Sequence, residues 1–424
     1  MIKFDRDVHS VLKTLEKEGF ETYAAGECVR DTLRGATCLD WDLVSRANAD
    51  DVCRLFPDGV VIDEEKQIVR IDLTHQVKGD EGEPDRMEGV ILDVRRFEGD
   101  IEDFLRKGEF TINAMADNPE RTFADPFGGR EDIRKKLIRT VDDPGKMFKE
   151  EPIRMMRAVR IASEVGFDLH QEVFDAILSN WRLLLESSIG LIREELEKLL
   201  VTENAGKGLK TMAESGLMAV VFGEEVSRKM NHTDMQAFNT VCENIDKTKP
   251  VKTRRLGLLF TTLSRRKARA AIERMEFDPK TEQHLKDGVD EIVNLTFLND
   301  GKTFKRYLFE HGLERYEYLH NLSKAMRIVY DQPAVKIESR NYMMKEIRNN
   351  KEPVFVEDLV IDANDILEAG IVDSAERAEE LLDLVIAVVH SNPKNNQRDV
   401  LLKMAKKYSR NKIAAKTRYV RWIR

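Results

Sequence analysis

Residues 24–47 read AAGECVRDTLRGATCLDWDLVSRA, and the fold turns on how DWDLV within it is read. Side chains of a strand alternate between its faces, so a strand here sets Asp40 and Asp42 side by side, with Trp41 on the other face. Adjacent carboxylates repel each other, and a divalent cation removes that repulsion. Hard oxygen ligands suit Mg²⁺, which commonly takes one or two carboxylates and completes its shell with substrate phosphates. A solvated strand end carrying two exposed acids is the plainer reading of an isolated DxD. The surroundings decide between them.

Working outward, FETYAAG reads as a strand entering a glycine turn and CVRDTLRG as a short helix closed by Gly35. ADDVCRLF is another helix, while GVVIDEE and QIVRIDLTHQV are β-rich runs consistent with a hairpin. KGDEGEPDRMEG, between Lys78 and Gly89, is expected to be a mobile loop, and VILDVRRF resumes the sheet. From about Asp132 the pattern turns almost wholly helical. MFKEEPIRMMRAVRIASEVGF has helix-spaced apolar positions with Pro152 near a first turn, where its missing N–H costs little. The fold class is therefore α+β, a small mixed-sheet head followed by a helical remainder.

A chain of 424 residues exceeds a single core and implies several domains. No apolar run approaches the roughly 20 residues that span a membrane, and the charged amphipathic start lacks a signal-peptide apolar region. The four cysteines have no CxxC spacing, which fits reduced thiols and a cytoplasmic location. The net charge of −8 argues against nucleic acid until its distribution is seen. The last stretch, LLKMAKKYSRNKIAAKTRYVRWIR, carries nine Lys or Arg and no acid, with Tyr408, Tyr419 and Trp422 interleaved. Such a segment suits phosphate contacts and base stacking, or else docks as a basic helix on an acidic body.

GECVRDTLRGATCLDWDLVSRA resembles the signature of the class II tRNA nucleotidyltransferases, a branch of the polymerase-β-like superfamily. KGEFTINAMA resembles the family's RRDFTINA, and ADPFGGREDIRKKLIRTV continues the likeness. FKEEPIRMMRAVRIASEVGF resembles its ED-x-x-R helix, and VEDLVIDANDILEAGI with SNPKNNQRDVLLKMAKKY is similar to its tail. The resemblance implies a nucleotidyltransferase head at 1–137, a neck with a base-selecting template at 138–215, a body at 216–335 and a tRNA-binding tail at 336–424. The helical parts would form an elongated series. It implies CMP and AMP addition to the 3′ end of tRNA from CTP and ATP, with Mg²⁺ as cofactor, by a monomer or homodimer.

Residue by residue, the resemblance assigns Asp40 and Asp42 to metal, with Glu109 as a third acid. Two metals can hold attacking and leaving oxygens in line. Gly26 and its turn, with Glu27, would lie against the triphosphate, as glycine-rich anion sites do. Arg30 would neutralise phosphate or bind nucleotide, or form a helix-surface ion pair. Asp31 would take part directly or serve a nearby arginine. Thr111 and Asn113 would contact the ribose, where polar groups can read a 2′-hydroxyl, or the asparagine would hold a turn. Glu150, Glu151 and Arg154 would form the template, a carboxylate accepting from the exocyclic amine of C or A and a guanidinium donating to the ring, and Arg157 would also bind nucleotide. Glu151 and Arg154 stand three apart, as one helix face requires, and a surface ion pair there would contribute only about 0.2–0.5 kcal/mol. Lys403, Lys406, Lys407, Arg410, Lys412, Lys416, Arg418 and Arg421 would grip RNA.

The chain departs from the pattern at Glu27, where a small residue is usual, at Gly108 and Glu109 for Arg-Asp, and at Glu151 for aspartate. RRLGLLFTTLSRRK holds no HD pair of the kind a metal-dependent phosphohydrolase needs. A CC-adding, A-adding or poly(A)-adding relative is the enzyme alternative. A catalytically weakened RNA-binding paralog is the other.

Overall fold

A computed structural model describes residues 2–77 and 86–410. Most of the loop expected between Lys78 and Gly89, and Lys412, Lys416, Arg418 and Arg421, lie outside the described residues. Two compact units divide the chain, 1–227 and 228–424.

The first unit begins with α1 (Arg6–Lys17), β1 (Thr22–Ala25), α2 (Glu27–Arg34), β2 (Asp40–Ser45) and α3 (Ala49–Leu55). Strands β3 (Val60–Asp63), β4 (Ile68–Asp72), β5 (His75–Val77), β6 (Arg86–Glu88) and β7 (Ile91–Arg96) follow, then α4 (Ile101–Arg106) and β8 (Ala116–Asp117). Six strands make one mixed sheet in the order β3-β4-β7-β2-β1-β8. The expected hairpin is β3 against β4, while QIVRIDLTHQV divides into β4 and β5, and β5 pairs with β6 in a separate ribbon. In the centre, β2 lies parallel to β7, with Asp42 directly opposite Asp93.

One face of this sheet is dry. Trp41, Leu43, Val69, Ile71, Leu92 and Val94 pack there beneath Val8, Leu12 and Leu15 of α1, Val29 of α2 and Val52 of α3. Trp41 is buried, tilted against Phe4 at 5.9 Å, and its indole N–H donates to the Cys38 carbonyl at 3.2 Å. A tryptophan between two aspartates is thereby explained. It anchors β2 by the buried face, and alternation turns Asp40 and Asp42 to the other.

Next come α5 (Gly129–Lys135), β9 (Leu137–Ile138), α6 (Pro144–Glu150), α7 (Arg154–Val165), β10 (Asp168–Leu169), α8 (Gln171–Asn180) and α9 (Ile189–Leu200). The single helix suggested by MFKEEPIRMMRAVRIASEVGF is two. Pro152 disfavours the helical conformation in the residue before it, and Glu151 is extended at φ −142° and ψ 91°. The second unit is helical, with one core around Phe304, Tyr316 and Leu319 and another around Ile366, Val385 and Leu401. No described helix is long and apolar enough to cross a membrane.

Gly129 opens α5 against the turn that carries Thr111 and Asn113. A Cβ there would stand 2.3 Å from the Thr111 carbonyl oxygen and 2.8 Å from Met115 Sδ, contacts that backbone cannot yield cheaply. Gly129→Ala is expected to destabilise the fold by about 1–3 kcal/mol, the usual scale of overpacking. A thermal melt checks this, and an unchanged midpoint would mean that the turn is pliable.

Candidate active site

Asp40 and Asp42 stand exposed on the charged face of the sheet, as the strand pattern requires. On β7, Asp93 is level with Asp42, and on β4 Arg70 is level with Asp93. Arg70 clamps Asp93 with two hydrogen bonds of 2.8 Å. Desolvation raises the proton affinity of Asp42 above that of an ordinary aspartate, Asp93, Glu27 and Asp40 add to it, and Arg95 opposes it. A carboxylate crowded by other carboxylates favours a counter-cation, and this donor set is all hard oxygen. Among the described residues no group of three or more His, Cys, Asp or Glu converges in a metal cage. What Asp40 and Asp42 offer a divalent ion is two carboxylates, and the rest of its shell would have to come from outside the protein.

Beside Asp42 opens a cleft of about 340 Å³ lined by Gly26, Arg95, Lys107, Gly108 and Asn113, among others. Gly26 joins β1 to α2 at φ 85° and ψ −138°, a conformation strained for any side chain. A Cβ there would point at Asp42 Oδ2, 3.9 Å away. Glycine thus brings bare backbone next to the acid pair. Gly108 contributes no cation where the family motif has arginine; Arg95 and Lys107 supply the positive charge. Asp93, Arg95 and Lys107 escaped the sequence reading. Their only signal was charge inside the strand-like VILDVRRF and beside KGEF.

Several proposed contacts have other company. Arg30 is fully buried, so the helix-surface alternative does not describe it. Its guanidinium donates twice to Asp31, to Asn113 Oδ1 at 3.1 Å and to Glu164 of α7 at 3.0 Å. Burial opposes its charge, but Asp31, Glu27 and Glu164 more than restore it. Asp31 also binds Arg34 at 2.9 Å, the structural alternative of its reading. Thr111 is buried, and its hydroxyl is committed to Asp132 Oδ2 at 2.5 Å, leaving Asn113 as the polar group at the cleft. Asn113 Nδ2 reaches Glu27 at 3.4 Å.

Glu109, expected as a third acid, sits just before the turn of Thr111 and Asn113. Its carboxylate lies between Arg154, at 3.6 Å, and Arg157, which it contacts directly. The acid level with Asp42 is Asp93. Glu151 precedes α7 rather than riding on it, yet still meets Arg154 at 3.1 Å and Arg157 at 3.2 Å. Glu150 is more exposed and 4.0 Å from Arg154. Arg154 Nε is buried without a hydrogen-bond partner and faces Glu109 Oε1 at 3.6 Å. In the second unit, Lys403, Lys406, Lys407 and Arg410 are exposed on and just beyond the helix Arg398–Ser409. Their i, i+3, i+4, i+7 spacing makes one basic stripe, opposite the buried Leu401 and Ala405.

A family model described as the poly A polymerase head domain matches residues 22–139. Another, described as the probable RNA and SrmB-binding site of polymerase A, matches 166–230. A CCA-adding enzyme of Geobacillus stearothermophilus is 37% identical over 218 residues, covering 50% of this chain and 54% of that protein. One of Anoxybacillus flavithermus is 28% identical over 378 residues, covering 85% and 87%. In its matches of highest identity the chain spans about half the length of the curated relatives. The fold matches the crystal structure of Bacillus stearothermophilus CCA-adding enzyme in complex with CTP. The TM-score is 0.75 over 96% of this chain and 98% of that one, at 24% identity.

Proposed function

We propose that this chain, whose residues 22–139 match the poly A polymerase head-domain family, adds CMP and AMP to the 3′ end of tRNA from CTP and ATP, building or repairing the CCA terminus. The observation that carries the reading is the pair Asp40 and Asp42 on one face of β2, beside the bare backbone of Gly26 and the cationic cleft. Mg²⁺ at the two aspartates would neutralise the triphosphate and make the 3′-hydroxyl a better nucleophile. Arg95 and Lys107 would take the remaining phosphate charge, and Asn113 the ribose hydroxyls. Glu151 would accept a hydrogen bond from the exocyclic amine of cytosine or adenine, and Arg154 would donate to the same base. Uracil and guanine present the wrong pattern to one partner or both.

The reading keeps four parts, a head, a template-bearing neck, a body and an RNA-gripping tail, in a cytoplasmic monomer or homodimer. Glu27 adds negative charge beside Asp42, which favours as second reading a catalytically weakened RNA-binding paralog. Incubating the protein with tRNA lacking its terminus and each NTP separately, then mapping the 3′ end, decides. Ordered C and A addition is expected. Incorporation of C alone, A alone or runs of A would identify the narrower relatives, and tRNA binding without addition the paralog.

The basic stripe on the last described helix gives a further expectation. Replacing Lys403, Lys406, Lys407 and Arg410 together by alanine should weaken tRNA binding and flatten its salt dependence. Each lost phosphate contact removes roughly 0.7–0.9 from the slope of log affinity against log salt. A slope equal to wild type would assign the stripe to solvent.

A further inference from the structure

One buried carboxylate stands behind the proposed template. Glu195 lies on α9, with its side chain 8% exposed. Its Oε2 accepts from Arg160 Nε at 2.7 Å, its Oε1 is 3.9 Å from Arg157 Nε, and Lys198 approaches the same oxygen at 3.9 Å. Arg154, Arg157 and Arg160 recur at three-residue steps and so run along one side of α7. Glu195 braces the second and third of these arginines. Glu151 joins the first and second, Oε2 to Arg154 at 3.1 Å and Oε1 to Arg157 at 3.2 Å.

The direction in which Glu151 presents its remaining lone pairs is therefore set by Arg157. Arg157 in turn is held by Glu109 on one side and Glu195 on the other. An acid buried between two guanidinium groups has few alternatives, because each one leaves charge unpaired. Rigid support of this kind keeps a recognition group within the narrow tolerance that selection demands.

We infer that Glu195 is a positioning residue for nucleotide choice: through Arg157 it holds Glu151 and Arg154 in the geometry that separates C and A from U and G. The inference rests on the template reading of Glu151 and Arg154. Glu195→Gln keeps the shape and removes the charge, whereas Glu195→Asp keeps the charge on a side chain one methylene shorter. For each, kcat and KM for CTP and UTP are measured on tRNA lacking its terminus, beside a thermal melt and tRNA affinity.

Glu195→Gln should lower the preference for CTP over UTP about tenfold, a typical coupling within one ion-pair network, with tRNA affinity unchanged. Glu195→Asp should regain part of that preference. If Glu195→Gln keeps the wild-type preference, or slows both nucleotides by a common factor, Glu195 serves only the fold and the inference is overturned. Should Glu195→Gln not fold, Glu195→Asp decides by the same ratio, an unchanged preference overturning the inference. A wild-type protein that adds nucleotides without preferring CTP to UTP would sink the template reading itself, a result distinct from either variant's.

Discussion

Asp42→Asn is expected to lower nucleotide addition by on the order of a thousandfold while raising thermal stability in metal-free buffer. The first half follows from removing one of two carboxylates proposed to carry the metal, whose contribution to transition-state charge is several kcal/mol. The second half follows from linkage. Asp42 holds its proton more tightly in the folded protein than an ordinary aspartate does. A raised carboxyl pKa favours the fold below the unfolded value, and that advantage is lost as pH rises through the folded value. At neutral pH the ionised group is therefore a burden on the fold, which asparagine removes. Wild-type protein should gain melting temperature on adding Mg²⁺, and Asp42→Asn should not. A variant that retains near-wild-type turnover, or responds equally to Mg²⁺, would remove Asp42 from the metal.

Arg154→Ala should change which nucleotide is used, not only how fast. A site that satisfies buried polar groups rejects a mismatched partner strongly, because mismatch leaves them unpaired. Arg154 is largely buried and paired with Glu151 at 3.1 Å, so the proposed base contact would be made by a mostly desolvated guanidinium. Its loss should lower CTP and ATP use and erode discrimination against UTP and GTP by about a hundredfold. Glu151→Asp should retain C-then-A selectivity, since it restores the side chain the family motif usually carries. Competition assays with paired nucleotides read the ratio directly. Slowing of all four by one common factor would mean that the arginine is structural and that bases are chosen elsewhere.

What sequence could say about this site depended on the range of the interactions. The shared face of Asp40 and Asp42 needed only strand alternation, and Trp41 reported the buried side locally. The Gly26 turn and the β3–β4 hairpin were equally local. Asp93 could not be assigned, because its place beside Asp42 depends on parallel pairing between strands separated by some fifty residues. Arg30 looked like a surface residue since it sits amid Glu27, Asp31 and Arg34, the usual company of an exposed helix face. Its burial comes from Asn113 and Glu164, both remote in sequence. Motif alignment named Glu109 a third acid, and nothing local showed that its carboxylate meets Arg154 and Arg157. The break between α6 and α7 at Pro152 was legible as a proline, but its benign first-turn reading concealed the extended Glu151.

The buried Arg30 also bears on how such proteins can be recombined. Its hydrogen bonds to Asp31 and Asn113 lie before residue 137, and its bond to Glu164 lies beyond it. The short parallel pair β9 and β10 likewise stitches residues 137–138 to 168–169. A chimera joined near 137 inherits these partners from two parents, and a mismatch strands a guanidinium whose lost partner costs about 3–5 kcal/mol. A junction at 227/228, between the compact units, cuts neither. The portable module in this chain is the first compact unit, residues 1–227, and a graft that respects Arg30 and Glu164 as one allele carries the whole cleft intact.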